Sequence, residues 1–64
     1  MSNAKTTHPD RYVLIYDGEQ TNDAFKTHNL QAAIDAAIKD YEYGGYDTIE
    51  IFDSVENRII WAIR

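Results

Sequence analysis

The sequence predicts an α+β domain of ββαββ order, with one helix packed across a mainly antiparallel sheet of three or four strands. Short runs rich in β-branched and aromatic residues, Arg11 to Asp17, Thr48 to Asp53 and the closing octet Asn57 to Arg64, read as strands. After the first of them the apolar residues change to a spacing of three and four, which marks an amphipathic helix from Leu30. Turn-forming residues separate the runs: Asp17-Gly18, Gly44-Gly45 and the segment Ser54 to Asn57.

The first strand, RYVLIYD, closes on Asp17-Gly18, a strong hairpin signal. Beyond the polar stretch that follows, Ala24 to Thr27 returns as a short second strand with Phe25 inward. Four residues carry little periodicity, so a sheet without this strand is the alternative. Leu30, Ala33, Ile34, Ala37, Ile38 and Tyr41 fall on one helical stripe. Asn29 is placed to cap the helix, because its side-chain oxygen can accept from an orphan backbone N–H. Asp35 and Lys39 stand one turn apart on the outer face. Gly44-Gly45 ends the helix, since glycine takes positive φ without a Cβ penalty.

In the third strand, alternation puts Ile49 and Ile51 on the core side and Thr48, Glu50 and Phe52 opposite. Ser54 to Asn57 forms a short hairpin connection, with Asn57 tolerant of positive φ. The last strand sets a problem. Strict alternation sends Ile59, Trp61 and Ile63 to one face and Ile60 and Ala62 to the other, so both faces are apolar. A single helix shelters one sheet face, so one alternate set from the first and last strands is left outward.

Residues 10 to 64 form one domain, and residues 1 to 9 are expected to be a disordered tail. Within that tail, Ser2-Asn3-Ala4 matches the scar of a cleaved expression tag, while the preceding Met1 fits a native start equally well. A chain of this size buries only about 60% of its unfolded surface, and without cysteine it has no disulfide or thiolate metal site to reinforce it. Tight packing and self-association are the remaining sources of stability. No secretory segment or long apolar span is visible in the sequence, so the expected location is the cytoplasm. A formal net charge of -5 without a Lys/Arg cluster disfavours direct nucleic-acid binding and anionic membranes.

The residue pattern is poor in chemistry. Ser54 sits in a hairpin among acids and lacks the strand-to-helix elbow of an activated nucleophile. His8 and His28, the only histidines, have no partner in a recognisable motif. Asp17, Glu19, Thr21 and Asp23 alternate as calcium-loop ligands do, yet Asn22 and His28 stand where that loop needs Gly and a bidentate Glu. No catalytic, cofactor or metal residue is assigned, and no cofactor is expected.

The reading that remains is a non-catalytic protein-interaction module whose partner is another protein, most simply a second copy in a homodimer. Its contact residues are Tyr12, Tyr16, Phe52 and Trp61, provided they share the uncovered sheet face. A negative rim of Glu50, Asp53 and Glu56 would favour a basic partner. Roughly 400 Å² of apolar surface buried there is worth on the order of 10 kcal/mol before the costs of association. The alternative is an acidic inhibitor of bacterial or phage origin that occupies a nucleic-acid-binding groove on its target, with Asp35, Asp40 and Glu42 along the helix exterior as the mimic.

Overall fold

The computed structural model describes residues 10–21 and 23–64. The elements follow the order β1 (Tyr12–Tyr16), β2 (Lys26–Thr27), α1 (Leu30–Tyr43), β3 (Ile49–Asp53) and β4 (Arg58–Ile63). They build an antiparallel four-stranded sheet in the order β2-β1-β3-β4 with α1 against one face, which is the α+β arrangement the sequence predicts. The expected tail, residues 1 to 9, lies outside the described residues.

Local chemistry sets each boundary. Asp17 and Gly18 both take positive φ, at 55° and 79°, the conformation of a two-residue hairpin turn, and Tyr16 exchanges backbone bonds with Glu19 across it. β2 is shorter than expected. The Ala24 amide still bonds back to the Thr21 carbonyl, so the chain remains in a turn there and pairing with β1 covers only Lys26 and Thr27. Phe25, expected inward, is 43% exposed.

Asn29 caps α1 in extended backbone, its Oδ1 accepting from the Ala32 amide at 3.0 Å. At the other end the Gly44 amide reaches the Asp40 carbonyl with φ of 100°, the position that requires glycine. Asp35 accepts from Gln31 Nε2, one turn earlier, in place of the expected pairing with Lys39. The stripe reaches the sheet through Ala33 and Ala37, both fully buried, with Ile34 and Tyr41 beside them. Two small residues at the contact let the helix approach closely. Leu30, the first residue of the stripe, stays 38% exposed.

The core on the sheet side is Tyr12, Leu14, Ile49 and Ile51. β4 joins it in an unexpected way. Ile51 pairs with Trp61 and Phe52 pairs with Ile59, so Ile60 is an extra residue in β4, a β-bulge. Strict alternation would send Ile60 away from the helix. The bulge breaks the alternation, and Ile60, Trp61 and Ile63 all pack against the core. Ile59 and Ala62 are left on the far face.

The close helix–sheet contact makes two substitutions informative. Ala37→Leu should lower the free energy of unfolding by about 1 to 3 kcal/mol through overpacking. Leu14→Ala should cost about 2 to 5 kcal/mol through the cavity it leaves. Urea unfolding followed by circular dichroism reads both, and an Ala37→Leu protein as stable as the parent would show that α1 does not lie close on the sheet.

Candidate functional site

Two rows of side chains face away from α1. The first runs across all four strands, Lys26, Val13, Phe52 and Ile59, and the second comprises Ile15, Glu50 and Ala62. Among the described residues no helix covers these rows. Exposure rises across the sheet. Val13 and Ile15, on the strand flanked from both sides, are 5% and 8% exposed, whereas Phe52 and Ala62 are half-buried and Ile59 at the margin is 46% exposed.

That margin is also the sheet edge. β4 pairs only with β3 among the described strands, so the outer N–H and C=O groups of a six-residue apolar strand have no partner strand. β2 closes the other edge with only two residues and therefore offers far less backbone for pairing.

The four residues expected to share the uncovered face do not share it. Tyr12 is 8% exposed within the core beneath α1. Tyr16 and Trp61 pack against that same core from the helix side. Only Phe52 points to the far face, since its neighbours Ile51 and Asp53 alternate with it. Aromatic character distinguishes these positions, but packing chooses which alternate set lies under the helix, and Trp61 follows its partner Ile51 to the covered side. Val13, Ile59 and Ala62 belong to the face, and their aliphatic side chains carry no sequence signature of their own.

The expected negative rim is also neutralised. Arg11 clamps Asp53 with two parallel bonds, Nε to Oδ1 at 3.0 Å and Nη2 to Oδ2 at 2.9 Å. Arg58 bonds Glu56 at 3.1 Å, and Arg64 approaches Glu50 at 3.4 Å. All three arginines of the chain are thus spent on these three carboxylates. The last two pairs are solvent-exposed on the arginine side and contribute little to stability.

Asp53 differs, being 2% exposed. Its Oδ1 also accepts from the amides of Val55 and Glu56, which organises the turn into β4. The bond from Arg11, helped by the two amides, holds its carboxyl at about 2 against an ordinary 3.8. The same bond raises the Arg11 guanidinium above its ordinary value, and the guanidinium also lies 5.0 Å from the Tyr12 ring centroid.

The opposite end of the sheet is held by Asp17 and Tyr16. Asp17 Oδ1 accepts from the amides of Asp47 and Thr48 at 2.6 and 3.1 Å, tying the end of β1 to the entry of β3. The Tyr16 hydroxyl donates to Asp40 at 2.6 Å and its ring meets Tyr46 with centroids 4.7 Å apart. Burial, and after it the bond to Asp40, raises the Tyr16 hydroxyl above its ordinary value. Among the described residues no group of three His, Cys, Asp or Glu side chains converges tightly enough to hold a metal ion. No described helix is long and apolar enough to cross a membrane.

Comparison of this chain with protein-family models, with curated proteins and with solved structures finds no match.

The Asp53 clamp has a pH signature. Because its carboxyl binds a proton less readily in the folded chain, the unfolded chain takes up that proton first as pH falls. Its stabilisation is complete above about pH 4 and disappears as pH drops through about 2. Asp53→Asn should be less stable than the parent at pH 7 and should lose less of its remaining stability across that acid window. Thermal unfolding of both proteins at a series of pH values checks this, and parallel curves would rule out the clamp as a source of acid sensitivity.

Proposed function

We propose that this protein is a non-catalytic interaction module that pairs with a second copy of itself along β4, in antiparallel edge-to-edge contact, with the adjoining outward face of the sheet sealed in the same interface. The observation that carries the reading is the unpaired outer edge of β4. The outer edge of β4, bulged at Ile60, presents backbone groups on either side of the bulge that another strand can meet. A two-fold axis across β4 would extend the sheet from four strands to eight and satisfy the outer backbone groups of both copies at once.

The side chains support the same direction. Ile59 and Phe52 form the exposed apolar margin nearest that edge, and the arginine pairs at Glu50 and Glu56 reduce the charge repulsion that two acidic copies would otherwise meet there. Aromatic contact in the interface falls to Phe52, since Tyr12, Tyr16 and Trp61 serve the core. An enzymatic role draws no support from the groups with displaced proton affinity. Asp53 is committed to Arg11 and a turn, and Tyr16 to Asp40. The acidic groove mimic is weakened likewise, because Asp40, a member of its ridge, is bound to the Tyr16 hydroxyl.

Light scattering over a concentration series tests the proposal. The parent should approach twice its 7.4 kDa monomer mass as concentration rises. Ile59→Asp, at an exposed position, should remain monomeric while keeping its circular dichroism spectrum. Trp61→Asp is a poor test, since Trp61 packs on the core and its loss would unfold the chain. A parent that stays monomeric at millimolar concentration would sink the dimer, and high salt should leave the association largely intact because apolar and backbone contacts drive it.

A further inference from the structure

At the end of the sheet opposite the Arg11–Asp53 clamp lies a concavity of about 520 Å³, a size suited to a small ligand or one side chain of a larger one. Its lining includes three aromatic rings, Tyr16, Phe25 and Tyr46, and three carboxylates, Asp17, Glu19 and Asp23. Phe25 and Tyr46 are 43% and 41% exposed, so part of each ring is open to an occupant of the concavity. Among the described residues lining the concavity, none is basic.

Three features of this chemistry narrow the occupant. The first is sign. The arginines are all spent around Glu50, Asp53 and Glu56, so the uncompensated acids of this acidic chain include Glu19 and Asp23 at the concavity, and an anion is repelled. The second is spacing. The carboxylates surround aromatic surface and do not converge as a metal shell does, and Asp17 Oδ1 is already held by two backbone amides. A small hard ion that needs several oxygens at once finds no such set here. The third is the rings. Aromatic faces attract large, weakly hydrated cations that can lie against them, and nearby carboxylates add to that attraction.

We propose that this concavity binds an organic cation, an alkylated ammonium or a guanidinium group, held against Phe25 and Tyr46 with Glu19 and Asp23 as its charge partners. Tyr16 is the positioning residue: its hydroxyl bond to Asp40 and its contact with Tyr46 keep the aromatic wall in place. The site lies away from β4 and does not depend on the dimer reading.

Amide chemical shifts of the full isotope-labelled chain, titrated with choline, with arginine methylamide and with 3,3-dimethyl-1-butanol, test the proposal. The last is a neutral carbon isostere of choline. At least one cation should shift Gly18, Thr21 and Tyr46 with saturation, and the two cations together decide between ammonium and guanidinium. The neutral isostere should bind at least about tenfold more weakly, the scale of a cation–π contribution. Phe25→Leu, at an exposed position that keeps its apolar bulk, should weaken the cation about three- to tenfold. Asp23→Asn should weaken it further at low salt than at high salt, whereas Ile59→Asp should leave it unchanged. Equal shifts from the neutral isostere, no saturable shift from either cation, or shifts that survive Phe25→Leu and Asp23→Asn together would overturn the assignment.

Discussion

A single helix can cover a single face of a sheet, and the way β4 meets that constraint organises the molecule. With Trp61 paired to Ile51, a regular β4 would have sent Ile59, Trp61 and Ile63 to the covered face and Ile60 and Ala62 outward. The extra residue at Ile60 breaks the alternation, so that Ile60, Trp61 and Ile63 all reach the core under α1. The bulge thus exchanges Ile59 for Ile60 against the core, in a chain without disulfides to reinforce it. The result is a distorted edge strand whose outward apolar residues are Ile59 and Ala62.

The helix meets this sheet through alanine. Ala33 and Ala37 are fully buried against Leu14, Ile49 and Ile51, so the bulky partner at each contact comes from the strands and the helix contributes backbone proximity. The ends of the sheet are then locked by polar side chains that bond backbone amides: Asp17 across the entry to β3, and Asp53 across the turn into β4. Each carboxylate satisfies two amides that would otherwise lack partners in a turn. The two aspartates differ in what else they meet. Asp53 is buried and clamped by Arg11, while Asp17 lies exposed beside the aromatic concavity.

Charge is correspondingly uneven. The three arginines pair with Glu50 and Asp53 of β3 and Glu56 of the turn into β4, which reduces the charge beside the β4 edge. Around the Asp17 turn, Glu19 and Asp23 have no arginine partner and lie next to exposed aromatic rings. A chain whose net charge is -5 therefore presents two dissimilar surfaces, one suited to backbone and apolar contact and one suited to a positive group.

By itself the sequence determined the element order, the helix with its Asn29 cap and Gly44 end, the Asp17-Gly18 turn, positive φ at Asn57, and Ile49 and Ile51 as core. These are local properties, set by rotamer and backbone preferences and by periodicity within one segment, so they can be read where they occur. Tertiary structure alone decided that Tyr12, Leu14 and Tyr16 are the covered set of β1, that β2 shrinks to two residues, that Ile60 bulges, and that Glu50, Asp53 and Glu56 each meet an arginine. Alternation specifies two sets and is silent on which lies beneath the helix. Partners such as Arg11 and Asp53 are 42 residues apart, so only the folded sheet brings their charges together.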